Sequence, residues 1–241
     1  MQSALPVALS AQLATEKRLE TIANNIANAR TVGFRAEEVK FEQLLSEAGS
    51  TPVAFASKGE TFISTRTGEL SQTGNTLDMA VNGDAWFGIQ GANGTVYTRD
   101  GRMRVSEAGE LQTLNGEAIL DAGGAPMLVD PNGGPLNIAR DGMITQGGQQ
   151  LGAVGLFTIP ANAKLSRAGT SGVVPDAAAV PLLDFAQAGV MQGYVEGSNV
   201  NPVLEMTRLI TVQRAFESAA KLLQDSEGSL NDAVKSLGAT S

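Results

Sequence analysis

Cysteine and histidine are both absent from the 241-residue chain. Without cysteine the chain forms no disulfide and offers no thiol nucleophile. Without histidine it lacks the usual general base and the commonest metal-ligating side chain. Catalysis of the Ser-His-Asp or Cys-His type is therefore excluded. Carboxylate and lysine chemistry remain open, but no pattern in the sequence favours either. We predict that the chain is not an enzyme and has no catalytic residue, no cofactor and no metal site.

Aromatic and charged residues are also scarce, at 5% and 17% of the chain, whereas 42% is hydrophobic and 28 residues are glycine. This mixture is typical of many short strands joined by tight turns. The net charge of −8 argues against nucleic acid or an anionic membrane as the main partner, and nothing indicates a small-molecule substrate. No apolar run approaches the roughly 20 residues that span a bilayer. The apolar stretch 4–14 follows no Lys or Arg, so we do not expect a cleaved signal peptide.

Near the N-terminus, apolar residues recur every three or four positions, which predicts a helix of about seven turns. The stripe consists of Leu5, Ala8, Gln12, Thr15, Leu19, Ile22, Ile26 and Ala29. Gly33 is placed to end the helix, because glycine accepts the left-handed conformation at little cost. Within this helix stand Asn24, Asn25 and Asn28, although asparagine is a mediocre helix former whose amide competes for backbone hydrogen bonds.

The C-terminal part shows a similar stripe after Asn201-Pro202, which predicts an N-cap followed by proline in the first turn. The stripe consists of Met206, Leu209, Gln213, Phe216, Ala220, Leu223, Glu227, Leu230, Val234 and Leu237. Such spacing is typical of a coiled-coil seam. We therefore predict that the two long terminal helices pair as a coiled-coil-like assembly domain. The alternative is that each helix packs only on its own domain.

The centre of the chain carries strand and turn signals instead. Asp100-Gly101 and Asn115-Gly116 each stand between alternating segments and predict β-hairpins with two-residue turns. Residues 154–160 form the most apolar predicted strand, and residues 160–181 read as a loop. The prediction is thus an α+β fold with an N-terminal assembly helix (1–35), a central all-β domain of short strands and hairpins (36–194) and a C-terminal assembly helix (195–241).

Three arginines cluster in the β region. If Asp100-Gly101 is a hairpin turn, Arg99 and Arg102 face each other across it, and Arg104 lies nearby. One interpretation is a solvated hairpin tip, and the other is a contact with an acidic patch on an adjacent subunit.

Several segments together resemble the axial proteins of the bacterial flagellum, and specifically the rod proteins of the basal body. They are Ile22–Ala36 (IANNIANARTVGFRA), Gln72–Val81, Tyr97–Gly101, Gly197–Pro202, Glu205-Met206 and Gln213–Phe216. The resemblance covers both ends and the middle of the chain. It departs at Asp84–Phe87, where the family usually has a glycine before two aromatic residues.

The resemblance implies a structural subunit that polymerises through its terminal helices into a helical tube around the export channel and transmits torque. The implied partners are copies of itself, other proximal and distal rod proteins, the flagellar type III export apparatus and the surrounding ring proteins. The implied location is the rod within the periplasm, reached by export without cleavage. The length, the opening residues Met1–Leu5 and Asn201-Pro202 resemble the proximal-rod member most, with the distal-rod member second.

In such a tube, asparagine amides could bridge to neighbouring backbones and fix the register of the helices. The predicted subunit-interface residues are Leu19, Ile22, Asn24, Asn25, Ile26, Asn28, Gly33, Phe34, Asn199, Asn201, Met206, Leu209, Gln213, Phe216, Leu223 and Leu230. Two other classes stay open. One is a distal-rod or hook-like axial protein with different inserted domains. The other is an exported β-rich enzyme acting on cell-wall glycan, which would need a pair of carboxylates in a cleft.

Overall fold

The computed structural model describes residues 4–46, 53–57 and 59–238. In these residues the chain forms helix α1 (Ala4–Ala27), nineteen strands and helix α2 (Pro202–Gly238), so the α+β class is correct. The chain divides into two compact units. The helical unit comprises Met1–Ala27, Glu37–Phe62 and Asn201–Ser241, and the β unit comprises Asn28–Ala36 and Ile63–Val200. The division predicted from the sequence instead assigned residues 37–62 to the central β domain. That predicted division into three segments stays a prediction.

The helical unit contains four short strands as well as both helices. The strands are β1 (Glu37–Lys40), β2 (Gln43–Ser46), β3 (Val53–Ala56) and β4 (Glu60–Ile63), of which the last residue belongs to the β unit. Strand β1 pairs with β4, and β2 pairs with β3 in antiparallel fashion. Helix α1 contacts β1 and β3 in addition to α2. Neither helix contains, in its described residues, a stretch apolar and long enough to cross a membrane.

The predicted coiled-coil-like pairing of the two helices is wrong. Strands cover part of α1, so its apolar stripe is not buried by a partner helix alone. On α2 the described stripe positions also fail to form one buried seam, because Met206 is 51% exposed and Gln213 is exposed. The buried or half-buried side chains described on α2 lie at positions 205, 209, 212, 216, 219 and 220, of which only 209, 216 and 220 belong to the predicted stripe. The spacing predicted the helices correctly, but it carried no information about which elements would cover them.

The C-terminal end of α1 and the N-terminal end of α2 differ in how well they were predicted. Asn201 caps α2 as expected, since its Oδ1 accepts a hydrogen bond of 3.1 Å from the backbone amide of Leu204. Helix α1, however, ends at Ala27, well before Gly33. Gly33 has a φ of +70°, and a Cβ added to it would stand 2.2 Å from the backbone nitrogen of Asp100. Glycine is required there by a close backbone approach inside the β unit rather than as a helix cap.

Fifteen strands form the β unit. They are β5 (Leu70–Gln72), β6 (Met79–Asn82), β7 (Trp86–Gly91), β8 (Gly94–Thr98), β9 (Met103–Val105), β10 (Leu111–Thr113), β11 (Leu136–Ile138), β12 (Met143–Gln146), β13 (Gln149–Ala153), β14 (Leu156–Thr158), β15 (Leu165–Ala168), β16 (Gly172–Pro175), β17 (Val180–Pro181), β18 (Gly189–Gln192) and β19 (Tyr194–Glu196). The largest sheet has the order β15-β16-β8-β7-β14-β17, with antiparallel pairing throughout.

The β unit also contains smaller sheets. Strands β11, β12 and β13 form an antiparallel three-stranded sheet, and the pairs β9–β10, β6–β18 and β5–β19 are two-stranded. The main core lies among them. It contains Met79, Val81, Ala85, Phe87, Ile89, Met103, Leu111, Ile119, Met127, Val129, Leu136, Ile138, Ile144, Val154, Leu156, Ala188 and Val190.

The hairpin predictions had mixed outcomes. The position of the Asn115-Gly116 turn is confirmed, but its length is not: the amide of Thr113 donates to the carbonyl of Glu117, so the loop has three residues, 114–116, rather than two. The amide of Gly116 donates to the carbonyl of Thr113, and the φ of Gly116 is +96°. The Asp100-Gly101 hairpin is wrong, because β8 pairs with β7 and β16 while β9 pairs with β10. A Cβ on Gly101 would stand 1.6 Å from the carbonyl oxygen of Met79, so this glycine again permits a close backbone approach. The predicted loop 160–181 contains β15, β16 and β17.

Candidate functional site

A buried cluster of two arginines and one glutamate lies inside the β unit. Glu196 ends β19, and its side chain is only 1% exposed. Its Oε1 lies 2.7 Å from Nη1 of Arg35, and its Oε2 lies 3.1 Å from Nη1 of Arg99. The backbone amide of Gly68 donates a third hydrogen bond of 2.7 Å to Oε1. One carboxylate thus compensates two guanidinium groups that are themselves buried.

Backbone carbonyls accept three further hydrogen bonds from the two guanidinium groups. Nη2 of Arg99 donates to the carbonyl of Gly83 at 2.9 Å, and Nη1 donates to that of Val81 at 3.3 Å. Nη1 of Arg35 donates to the carbonyl of Arg66. Within the described part of the chain, Nε and Nη2 of Arg35 and Nε of Arg99 have no hydrogen-bond partner.

The indole of Trp86 faces both guanidinium groups. The guanidinium carbon lies 5.4 Å from the ring centroid for Arg35 and 5.1 Å for Arg99. Trp86 is only 2% exposed, so both cation–π contacts are shielded from water. Two guanidinium groups and one carboxylate have a net charge of +1. The electron-rich face of the Trp86 ring stabilises part of this positive charge.

Burial dominates the electrostatics of the cluster. It lowers the pKa of Arg99 to about 10, although Glu196 raises it. Burial also lowers the pKa of Arg35, again against an opposing effect of Glu196. Both guanidinium groups remain protonated at neutral pH. Asp84 lies 3.9 Å from Arg99, but its side chain is 92% exposed and contributes little.

The same region fixes the residues on either side of Arg35. Phe34 is 1% exposed and packs with Ala36 and Val200, and Arg167 lies 4.4 Å over its ring. Asn199 lies opposite this segment. Its Oδ1 accepts a 2.7 Å bond from the amide of Ala36, and its Nδ2 donates a 2.7 Å bond to the carbonyl of Arg66.

The segments that carry the flagellar resemblance are therefore brought together in space. Arg35 belongs to the N-terminal segment, Arg99 to the central one, and Glu196 directly precedes the C-terminal one. Sequence reasoning missed Glu196 and interpreted Arg99 as part of a surface cluster. The sequence did indicate the importance of both arginines, because each lies inside a segment that resembles the flagellar rod proteins. Their common partner could not be read from the sequence, since Glu196 is 97 positions from Arg99.

In the helical unit, Asn25 makes a two-point contact with one backbone residue. Its Nδ2 donates to the carbonyl of Glu37 at 2.8 Å, and its Oδ1 accepts from the amide of Glu37 at 2.9 Å. Asn25 is 3% exposed. The side-chain amide of Asn25 therefore makes the same pair of hydrogen bonds with Glu37 that a neighbouring strand would make, and it holds the start of β1 against α1.

The predicted interface residues are scattered among different environments. Ile22, Asn25, Gly33 and Phe34 are buried; Leu19, Asn24, Ile26, Asn28, Asn199, Leu209 and Phe216 are intermediate; Asn201, Met206 and Gln213 are exposed. Leu223 and Leu230 lie within α2, but their side chains are not described. The amides of Asn25, Asn199 and Asn201 have bonds inside the chain, and a contact of any of these residues with another subunit stays a prediction.

No metal-binding group of three or more acidic side chains occurs in the part of the chain that the structure describes. The cluster around Glu196 has the properties of a structural clamp: it is closed to solvent, and the hydrogen bonds described for it are made among its own side chains and with the protein's backbone. What it does chemically is to hold three distant chain segments in one position.

Comparison with known proteins identifies the same segments. Residues 5–35 match the family described as "Flagella basal body rod protein", residues 80–175 match "Flagellar hook protein FlgE/F/G D1 domain", and residues 191–235 match "Flagellar basal body rod FlgEFG protein C-terminal".

Similar proteins cover the whole length of the chain. The flagellar basal-body rod protein FlgF of Mesorhizobium japonicum is 52% identical over 100% of both chains, and FlgF of Rhizobium meliloti is 48% identical over 99% of both. The rod protein FlgG of Bacillus subtilis is 31% identical over 91% of this chain and 93% of its own. The predicted order of resemblance, FlgF before FlgG, is confirmed. These relatives are named as rod proteins and not as enzymes, which supports the prediction of a structural subunit. The chain therefore belongs to the family of flagellar basal-body rod proteins and is a structural component of the flagellar basal body.

Proposed function

We propose that the chain is a subunit of the proximal rod that polymerises through its helical unit into a tube around the flagellar export channel and transmits torque. Exposed apolar side chains on both helices carry the proposal. On α1, Leu9 is 52% and Leu13 is 56% exposed; on α2, Val203 is 73% and Ile210 is 53% exposed. Burying each such side chain stabilises a contact by roughly 1.5–3 kcal/mol. Helices that leave several of them in water are suited to further protein neighbours.

The exposed residues on α2 form a defined patch. Val203, Met206 and Ile210 follow each other at spacings of three and four, so they lie on one side of the helix. The half-buried residues Leu209 and Phe216 lie on a different side. The helix thus has one face for its own unit and another for a neighbouring subunit. Of the predicted interface residues, Met206 and Gln213 fit the outer face.

The partners in this proposal are copies of the chain, other rod proteins and the surrounding ring proteins. The proposed route is the flagellar export apparatus, and the proposed location is the rod within the periplasm. The FlgF name shared by the relatives at 52% and 48% identity supports the proximal position. The buried clamp around Glu196 suits torque transmission, because a region fixed by several charge-assisted bonds resists deformation.

A single charge on the outer face of α2 tests the proposal. In Ile210→Asp a carboxylate would have to be desolvated against apolar neighbours, which costs several kcal/mol. We expect the variant to be lost from purified basal bodies and the cells to stop swimming. Ala215→Asp is the matched control, because position 215 is exposed and lies about 140° around the helix. Rods that contain Ile210→Asp at the wild-type level would contradict the proposal.

A further inference from the structure

Asparagine stands directly before glycine at four places in the chain, and all four lie in the β unit. These Asn-Gly steps are Asn82-Gly83, Asn93-Gly94, Asn115-Gly116 and Asn132-Gly133. The asparagine is exposed in each of them. An exposed asparagine before glycine can react with its own backbone, because glycine has no Cβ to keep the following peptide nitrogen away from the side-chain amide. The surroundings of each step therefore determine where such a reaction is fastest.

The surroundings of Asn115 favour this reaction. In the part of the chain that the structure describes, the Asn115 side chain has no hydrogen-bond partner, so it can rotate toward its own backbone. A guanidinium group lies beside the turn, because Nη2 of Arg104 is 3.3 Å from where a Cβ on Gly116 would be. A Cβ is about 2.5 Å from the peptide nitrogen of its own residue, so the guanidinium nitrogen lies within about 6 Å of the Gly116 nitrogen.

The positive charge of Arg104 is available to a new negative charge. Its side chain is exposed, and no ion pair of Arg104 is found among residues 4–46, 53–57 and 59–238. A cation at this place stabilises the anion that the Gly116 peptide nitrogen becomes when it loses its proton. One contact opposes the reaction, since the Gly116 amide donates to the carbonyl of Thr113 at 3.1 Å. This single neutral hydrogen bond at the surface is a weak constraint.

The other three steps lack this combination of features. Asn82 belongs to β6, and the carbonyls of the residues on either side of it accept hydrogen bonds from Arg99, which fixes the backbone there. The backbone amide of Asn132 donates to a carboxylate oxygen of Asp130 at 2.9 Å, and the negative charge of that group disfavours a second one. Asn93 lies in the turn of the β7–β8 hairpin, which contains no Lys or Arg.

We propose that Asn115 is a site of spontaneous modification, at which asparagine is converted into aspartate or isoaspartate and Arg104 accelerates the first step. The Gly116 nitrogen gives its proton to water and attacks the side-chain carbonyl carbon of Asn115. The bond from that carbon to the amide nitrogen breaks, and the nitrogen takes up a proton and leaves as ammonia. Water then opens the cyclic imide at either of its two carbonyl carbons, which gives aspartate or isoaspartate.

The product differs from the original chain in charge and, for isoaspartate, in the length of the backbone. Each conversion adds one negative charge to a chain whose net charge is −8, and the new carboxylate lies beside Arg104. In isoaspartate the side-chain methylene becomes part of the main chain, which lengthens the turn 114–116. Because the reaction needs only water, the modified fraction increases with the time since the subunit was made.

Peptide mass spectrometry of the purified full-length chain, incubated at neutral pH, measures conversion at all four Asn-Gly steps in one sample. We expect the fastest conversion at Asn115. In urea, where the turn is unfolded, the four steps should convert at similar rates, because the two reacting residues are the same in each. Three results would overturn the proposal: no conversion at Asn115, faster conversion at another step of the folded chain, or the same preference for Asn115 in urea.

Arg104→Gln tests the contribution of the guanidinium group. It should slow conversion at Asn115 about threefold, as Coulomb's law gives for unit charges about 6 Å apart in water. The rate is taken relative to that at Asn93 in the same chain, so that a general loosening of the fold does not imitate the effect. Lys164→Gln is the matched control, since it removes a positive charge from an exposed position elsewhere in the β unit. An unchanged relative rate in Arg104→Gln, or an equal slowing in Lys164→Gln, would contradict the role of Arg104.

Discussion

Replacing Glu196 by glutamine would remove the negative charge that lies between two guanidinium groups. The side chains of Arg35 and Arg99 are 1% and 0% exposed, so water cannot take the place of the lost charge. Glutamine has nearly the same shape and keeps one carbonyl oxygen. Its amide group, however, would direct N–H bonds toward a guanidinium that has only N–H groups of its own. The substitution therefore changes the charge with little change in packing volume.

The expected loss is large compared with the stability of a typical domain. Removing one partner of a buried ion pair costs about 3–5 kcal/mol, because it leaves an uncompensated buried charge. Here one carboxylate serves two cations and also accepts the amide of Gly68 at 2.7 Å. Single domains have free energies of unfolding of about 5–15 kcal/mol, so the variant would lose roughly a fifth or more of such a value.

Urea unfolding followed by tryptophan fluorescence measures this effect. Trp86 is the one tryptophan of the chain and lies against both arginines, so its signal reports on this cluster. Glu107→Gln is the matched control, since Glu107 is exposed in the same unit, and it should change the free energy of unfolding by less than about 0.5 kcal/mol. A loss below about 1 kcal/mol for Glu196→Gln would refute the reasoning. If the charge is the cause, replacing all three charged residues by apolar ones should recover much of the loss.

Two further substitutions test close contacts in the two units. Gly33→Ala should destabilise the β unit by more than about 2 kcal/mol, because both its φ of +70° and the nearby backbone oppose a Cβ. Gly74→Ala has a similar φ of +73° with open space around it and should cost only about 1–2 kcal/mol in urea unfolding; equal losses would contradict the clash. Asn25→Ala should destabilise the helical unit by about 1–3 kcal/mol, since it removes the two hydrogen bonds that the buried side-chain amide makes with the backbone of Glu37. Hydrogen exchange at the Glu37 amide should then accelerate, and unchanged protection would show that this bond contributes nothing.

Features determined by a few adjacent residues could be predicted from the sequence. The turn at Asn115-Gly116 needs only a glycine that accepts a positive φ between two short strands, and Asn201 needs only its own amide to cap α2. The position of the turn and the cap were predicted correctly. The helices were also predicted, because their periodicity extends over many turns.

Features determined by distant partners could not be predicted in this way. Asp100-Gly101 has the composition of a hairpin turn, but β8 pairs with β16, whose residues lie more than 70 positions away. The burial of Arg99 depends in the same way on Glu196. Local patterns do not show which strand will be the neighbour, and they also do not show that strands rather than a helix alone cover α1. The flagellar resemblance located the right segments without showing that they meet.

The sequence separation between hydrogen-bonded residues differs greatly within the chain, and this difference has a consequence for how the chain folds. The bond between Asn25 and Glu37 spans 12 positions, whereas the bond between Ala36 and Asn199 spans 163. Closing the longer loop costs about 2 kcal/mol more in chain entropy, from the logarithmic dependence on loop length. The start of β1 can therefore be fixed early, while the segment around Phe34 must wait until residues near 199 have arrived. Topologies dominated by such distant contacts fold slowly. A ribosome or a secretion channel that releases the chain from its N-terminus would thus hold it in an unfinished state until nearly the whole length had emerged.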